Sequence, residues 1–501
     1  MKSRKLLVAG VFLLAILLRC LFLGTRSIEY DDAFSIFLSQ QTLSGIVHGT
    51  AADTMPPLYY FLLHFWMLFG QQIWLLRTLS VLLNMGSIII LYWVVRDLVD
   101  WKAGLWAAFL AAISPLQIYH AQDLRMYALL ELAQLGYIWF FSQICKNPNP
   151  NLKKRDWKNW VGLVLCGGLA MYSHNLAIFV LVVPNAFLIF KRNWRLLFRL
   201  IAAQLVIGLV ALPWLLLLPG QISKIQGAFW TPRPGIVEIV QAIIMFTAAL
   251  PLSGILLIIA AVLSIEILFI VVMEAIKNKE RKEELSFLAF FALLPPVLIF
   301  IVSYVMRPVF VPRGFLVSSM AYYGIAGVLI SKNWPKGIGV LLVATFGLAA
   351  VISLPSQYLL SSFPRSPYQQ ATSFLETVIQ PGDQVIHDDK LSYFPSRFYS
   401  PDLPQNFIAD QPKSPNDTLA LGSQKAMGIY PQPDLQTAIG DSQQFYFVVF
   451  TQTIQEYEAA GLSDHPSLTW LRAHYLLLDK KIFNDLEIYH FSRQGVAEIS
   501  P

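Results

Sequence analysis

Charge is what this 501-residue chain has least of: 14% of its residues are Asp, Glu, Lys or Arg, against 56% hydrophobic. With a mean hydropathy of +0.55, that balance excludes a soluble protein built of several globular domains. Cysteine is scarcer still. Of three, Cys20 and Cys166 lie in apolar runs and Cys145 borders one, which excludes a disulfide framework or a CxxC zinc site and argues against redox chemistry. No Gly-rich phosphate loop or Rossmann-like unit occurs, so no soluble nucleotide need be bound. The formal charge of +6 is confined to short segments between apolar runs, as loop charges on one membrane face would be, and nucleic-acid binding is not expected. No repeat or low-complexity tract is evident.

What the chain has in abundance is apolar runs near the roughly 20 residues that cross a bilayer. They fall at 6–23, 74–95, 103–120, 127–144, 160–172, 176–190, 200–218, 252–275, 285–304, 315–330 and 338–354, about eleven spans. The N-terminus has the basic start and apolar middle of a signal peptide. Small A-x-A residues are missing downstream, however, and Arg19 before Cys20 spoils a lipoprotein-type cleavage site. An uncleaved first transmembrane helix is expected, with Arg19 snorkelling to the interface.

Positive charge collects on the cytoplasmic side. With Lys2, Arg4 and Lys5 inside, the inner loops hold Arg96 and Lys102; Lys146, Lys153, Lys154, Arg155 and Lys158; Lys191, Arg192, Arg195 and Arg199; Lys277, Lys279, Arg281 and Lys282; and Lys332 and Lys336. The pattern is kept only if the apolar piece 235–250 does not cross, so it is assigned as an interfacial or re-entrant helix. An odd span count then places the C-terminus outside. The expected architecture is an α-helical polytopic membrane protein with a small C-terminal extracytoplasmic (periplasmic) α/β domain. Residues 1–355 form the membrane domain, with a long first outer loop at 24–72, and 356–501 the outer domain. In the latter, 380–386 reads as a turn into a strand, 444–450 as a strand, 454–460 as a short helix, and the surroundings of Tyr475 and Tyr489 as two more strands.

The unusual residues fall in the outer loops. The first carries Glu29, Asp31, Asp32, His48, Asp53 and Pro56-Pro57, which open an apolar helix at 58–69; later ones carry Asp123 and Arg125, His174, Lys224 and Arg233, and Arg307 and Arg313. Acids dominate one loop and bases several others. That set suits a lipid phosphate carrying a sugar: a carboxylate takes a proton from the incoming hydroxyl, and cations hold the phosphate as leaving group. Asp31 or Asp32 can be the first; Arg125, Arg307, Arg313 and His174 the second. Plainer readings stand beside these. The acids could cap a helix starting near Ala33, Asp53 could cap the Pro-initiated helix, Asp123 and Arg125 could form a local salt bridge, His174 could be an interface histidine, and Glu29 reads as a loop residue only. His387, Asp388 and Asp389 resemble a metal triplet, but neighbours on a strand face opposite ways, and no metal site is expected.

Four segments carry a family resemblance: Tyr30-Asp31-Asp32-Ala33-Phe34; Asp53-Thr54-Met55-Pro56-Pro57-Leu58-Tyr59-Tyr60; the run from Ser114-Pro115 through Gln122-Asp123-Leu124-Arg125-Met126-Tyr127; and Pro312-Arg313-Gly314-Phe315. Together they resemble GT-C fold membrane glycosyltransferases, the bacterial relatives of protein O-mannosyltransferases and aminoarabinose transferases that use polyprenyl-phosphate sugars. Asp32 stands where that family usually has Glu, and Met55 where it usually has His, so no metal role is carried over. The resemblance implies an inverting hexosyl or pentosyl transfer with Asp31 as base and Asp32 in support. It places Asp53, Gln122, Asp123, Arg125, Tyr127 and Arg313 at the substrate, where the loop charges read above add His174 and Arg307. The expected partners are a polyprenyl-phosphate sugar donor, a glycan, lipid or protein acceptor, and the bilayer of a cell inner membrane. No cofactor is required, and a divalent cation is admissible rather than expected. The competing reading is a transporter or flippase of a lipid-linked saccharide. Transporter sites usually lie near the bilayer midplane in broken helices, whereas these residues lie at the outer ends.

Overall fold

The computed structural model describes residues 2–146, 156–227, 231, 233–306, 308–412, 414 and 416–493. The loop charges Lys153, Lys154 and Arg155, and the candidate Arg307, lie outside the described residues. Two compact units form: Met1–Gly24 with Thr42–Tyr358, and Thr25–Gln41 with Leu359–Pro501.

The first unit is helical, and the chain is a multi-pass membrane protein. Among the described residues seven helices are long and apolar enough to cross a membrane: Ile73–Leu98, Tyr127–Lys146, Trp194–Leu215, Gly254–Lys277, Lys279–Val305, Pro312–Asn333 and Ile338–Tyr358. Several expected spans are shorter or broken. The run at 103–120 divides into Trp101–Ile113 and Pro115–Ala121, because Pro115 has no N–H to continue the helix and the Ser114 hydroxyl caps the new start by accepting from Gln117 N at 3.3 Å. The run at 176–190 breaks into Asn175–Ala177, Ile178–Leu181 and Val183–Phe190. The piece expected to be interfacial or re-entrant contains the helix Ile236–Met245, whose ten residues extend about 15 Å, half a hydrocarbon core.

Helix Leu316–Asn333 is the most deeply embedded, packing on Trp101–Ile113. Gly327 permits this: a Cβ there would come within 2.6 Å of Ala107 N and 2.8 Å of Ala103 O. Close backbone approach through small residues is how membrane helices gain packing energy without a hydrophobic drive.

Arg19 does not snorkel. It is fully buried, with Nε donating to Asn84 Oδ1 at 2.6 Å, Nη1 to the carbonyls of Ala15 (3.1 Å) and Ala112 (3.0 Å), and Nη2 to the Ala111 carbonyl at 3.0 Å. The cause is the helix break. Ala111 O would normally accept from the residue four positions on, which is Pro115 and has no N–H, so the guanidinium supplies the missing donor. Asn84 Nδ2 donates onward to Gln117 Oε1 at 2.8 Å and Glu131 Oε2 at 3.0 Å, and Gln117 Nε2 to Glu131 Oε1 at 2.7 Å and Ser319 Oγ at 3.0 Å. A buried cation and a buried anion are thus joined by two side-chain amides.

The second unit is an α/β domain. Strands β1 (Gln384–His387), β2 (Gln405–Phe407), β3 (Gln444–Phe450), β4 (Tyr475–Phe483) and β5 (Leu486–Arg493) form one sheet in the order β2-β1-β3-β5-β4. β1 is parallel to β2 and β3, and β5 antiparallel to β3 and β4. Period-two alternation sends Ile386, Phe445, Phe447 and Val449 into one core with Leu468 and Leu471, and Val385, Tyr446, Val448 and Phe450 into the other with Tyr368 and Leu375.

The segment 24–72 is divided between the units, and Thr25–Gln41 groups with the sheet domain. Ser27 Oγ donates to Ser366 O at 2.7 Å and Ile28 N to the Tyr399 hydroxyl at 2.9 Å. Glu29, expected to be only a loop residue, accepts on Oε1 from Arg26 Nη2 at 2.7 Å and Arg365 Nε at 2.9 Å. Two buried guanidiniums need a counter-charge, and Glu29 provides it.

Candidate active site

The acids are not caps. Helix Tyr30–Ser39 begins one residue after Glu29, and Asp31 and Asp32 occupy its first turn, where the helix dipole favours negative charge. They differ in access: Asp31 is half-buried, Asp32 1% exposed. Of the two, Asp31 is the more accessible.

In the first unit four separate segments converge. The Gln122–Met126 turn, between Pro115–Ala121 and helix Tyr127–Lys146, presents Arg125, whose Nη1 lies 3.5 Å from the Tyr60 hydroxyl. Asp123 pairs with His120, Oδ2 to Nδ1 at 2.9 Å. Gln122 Nε2 donates to the carbonyls of Arg19 at 2.9 Å and Leu21 at 2.8 Å, tying the turn to the end of the first helix. The ring of Tyr127 sits at the centre: His120 lies 5.5 Å from it, His174 5.8 Å, and the Arg313 guanidinium carbon 5.5 Å from its centroid.

His174 joins helix Asp156–Ser173 to the turn Asn175–Ala177 and caps that turn, Nδ1 accepting from Leu176 N at 3.0 Å. Burial first, then the guanidiniums of Arg313 and Arg125, push its pKa down to about 3. His174 is therefore neutral and carries its proton on Nε2, a hydrogen-bond donor and not the cation expected from the sequence. Pro312–Phe315 brings Arg313 in through Gly314, where a Cβ would lie 2.7 Å from Leu176 Cδ1. Asp53 terminates helix Leu43–Ala52 as its C-cap instead of capping the helix Leu58–Trp66. Beside it, the Thr54 carbonyl accepts from Asn175 Nδ2 at 2.8 Å.

The structure thus gathers Arg125, Tyr127, His174 and Arg313 in one unit and sets Asp31 and Asp32 on a helix of the other. Sequence reasoning passed over Tyr60, His120 and Asn175. Asn175 also accepts from Trp214 Nε1 at 2.9 Å and donates to Gln221 Oε1 at 3.1 Å. The available signal was the polar triplet Ser173-His174-Asn175 between two apolar runs. His387, Asp388 and Asp389 diverge: His387 Nδ1 meets Ser392 Oγ at 3.1 Å, Asp388 pairs with His465 at 3.2 Å, and Asp389 accepts from Leu391 N at 2.9 Å and Ser392 N at 3.2 Å as a helix cap.

The chain as a whole is similar to ArnT from Cupriavidus metallidurans bound to undecaprenyl phosphate, at 13% identity and a TM-score of 0.62 over 96% of this chain and 97% of that one. The chain has the GT-C glycosyltransferase fold. The GT-C likeness extends to the archaeal oligosaccharyltransferase AglB from Archaeoglobus fulgidus, solved with an inhibitory peptide and a dolichol-phosphate (12% identity, TM-score 0.55, covering 97% of this chain and 74% of that one). Residues 54–218, which hold Arg125, Tyr127 and His174, match the dolichyl-phosphate-mannose-protein mannosyltransferase family. Against curated proteins the sequence finds no match.

Proposed function

We propose that this GT-C chain is a membrane glycosyltransferase that moves a hexosyl or pentosyl group from a polyprenyl-phosphate donor to an acceptor hydroxyl. The observation that carries the reading is the convergence of Arg313 and His174 on the Tyr127 ring, with Arg125 two residues before it held at the Tyr60 hydroxyl. Two cations and a neutral N–H donor in the same unit suit a phosphate monoanion or dianion, and planar guanidiniums bind phosphate oxygens in pairs. ArnT with undecaprenyl phosphate and AglB with dolichol-phosphate supply the ligand class by analogy.

Asp31 Oδ removes the proton from the acceptor hydroxyl as its oxygen attacks the anomeric carbon. The bond from that carbon to the phosphate oxygen breaks, configuration inverts, and the electron pair leaves on polyprenyl phosphate, whose growing charge Arg125 and Arg313 stabilise. The step as written uses no cofactor. Buried Asp32 holds the charge environment of Asp31. The acceptor is a glycan, lipid or protein. The loop charges support an inner-membrane orientation with the N-terminus cytoplasmic and the C-terminal domain periplasmic. The purified chain with polyprenyl-phosphate sugars is expected to transfer sugar, and Asp31→Asn to lose that activity by about 100-fold or more. Transfer surviving Asp31→Asn would overturn the base assignment; export of the lipid-linked saccharide without transfer would favour a flippase.

A further inference from the structure

The segment that carries Asp31 and Asp32 is built into the sheet domain. Helix Tyr30–Ser39 lies on helix Lys390–Tyr399, where Tyr30, Phe34 and Phe37 surround the fully buried Phe394 ring at 5.1, 6.4 and 5.7 Å. The chain just before the helix is pinned by different chemistry. Ile28 is 0% exposed and its N–H is held by Tyr399. Ser27 reaches Ser366 O, and Ser366 Oγ itself donates to Asp485 Oδ2 at 2.8 Å in the β4–β5 turn. Asp485 Oδ2 also accepts from Phe363 N at 2.6 Å, so the 363–366 strand of chain that presents Arg365 is fixed at both ends.

Between these two sets of contacts stands Glu29. It is the residue that starts the helix, its carbonyl accepting from Ala33 N at 2.9 Å, and its carboxylate is clasped by two guanidiniums whose side chains are each 3% exposed. A residue whose backbone begins the helix and whose side chain is locked to another segment of the same unit fixes the axial position and rotation of the first turn, where Asp31 lies two residues on. The aromatic contacts alone would let the helix slide, because apolar packing lacks direction, whereas two charge-assisted hydrogen bonds on one oxygen do not.

We propose that the C-terminal domain is the mount for the reacting carboxylate, and that Glu29, clasped by Arg26 and Arg365, is the positioning residue that sets Asp31. This rests on the reading of Asp31 as the base. Effective molarity in a group transfer is lost steeply when a catalytic group moves by about 1 Å, by as much as about 100-fold.

The test uses the full-length protein in lipid nanodiscs with a polyprenyl-phosphate sugar donor. It compares Glu29→Gln, Glu29→Asp, Arg365→Lys and Asp31→Asn for kcat, for donor KM, and for hydrogen exchange of the 28–40 peptide. Glu29→Gln is expected to lower kcat by about 10- to 100-fold with donor KM unchanged and to speed exchange in 28–40. Glu29→Asp, which keeps the charge, is expected to recover part of the rate. Arg365→Lys repeats the pattern more mildly and substitutes for Glu29→Gln if that variant does not accumulate. Faster exchange with undiminished kcat, or a fall confined to protein yield, would overturn the positioning role while Asp31→Asn still reports separately on the base. Full activity in Asp31→Asn would overturn both.

Discussion

The guanidinium of Arg313 lies over the face of Tyr127, its central carbon 5.5 Å from the ring centroid. This contact helps hold the cation in place, and a guanidinium suits an aromatic face better than an ammonium on a flexible stem does. Arg313→Ala should therefore raise donor KM by about 10- to 100-fold, the value of about one charge-assisted hydrogen bond, with a smaller change in kcat. Arg313→Lys should restore little of the loss. Equilibrium binding of polyprenyl phosphate without the sugar checks this; unchanged affinity in Arg313→Ala would remove Arg313 from the phosphate.

His174 should be silent in the pH profile. Its pKa lies near 3 in the folded chain against 6.5 when unperturbed, so in the folded protein it stays neutral from about pH 5 to about pH 8. The linkage sign follows: the unfolded chain binds the proton more readily, and this group's contribution to stability is present above about 6.5 and is lost as pH falls toward about 3. His174→Asn keeps an acceptor for Leu176 N and should preserve expression while losing the Nε2 donor and with it about 10-fold in kcat/KM. A pKa between about 6 and 7 that appears in the wild-type profile and vanishes in His174→Asn would show that the imidazole is not held neutral.

Much of this was legible in the chain. Strand 444–450 falls where alternating aromatics and valines place it, because one residue in two meets each core. The three-residue β2, Gln405–Phe407, left no pattern long enough to read. Helix breaks at Ser114 and at Val182 fall inside the expected continuous spans 103–120 and 176–190, since apolarity reports burial and says little about backbone continuity. Asp31, Arg125 and Arg313 were visible because charge beside an apolar run is costly. What sequence could not show is partnership. Glu29 and Arg365 are 336 positions apart, and Arg19 finds its acceptors because Pro115 leaves one open. Neither pairing follows from local spacing.

Arg19 and Glu131 should be strongly coupled. Both are buried in the helical unit and share the amides of Asn84 and Gln117. Removing one partner strands the other charge, a loss of about 3–5 kcal/mol, so Glu131→Ala or Arg19→Ala should sharply reduce the yield of monodisperse protein in detergent. In the double variant Arg19→Met, Glu131→Leu no charge remains buried, and part of the yield should return. A double variant as poor as the sum of the singles would show that the two do not share one network.

Asp389 gives the sheet domain a pH dependence of defined sign. Burial, then the neighbouring Asp388, pushes its carboxyl from 3.8 up to about 7, against the pull of the Ser392 N–H. Between those values the folded domain holds a proton that the unfolded chain releases, so stability is greatest below about pH 4 for this group and falls as pH rises through about 7. Protection of the amides in helix Lys390–Tyr399, corrected for intrinsic exchange, should accordingly weaken between about pH 5 and about pH 8. Asp389→Asn caps a helix as well as Asp does and cannot ionise; it should keep the protection seen at low pH and flatten the slope. Asp389→Ala removes the acceptor of Leu391 N and Ser392 N and should lower protection at every pH by about 1 kcal/mol. A slope as steep in Asp389→Asn as in the wild type would move the titrating group to another carboxylate of the cluster, with Asp410, which binds Lys390 and is itself raised by burial, the next to replace.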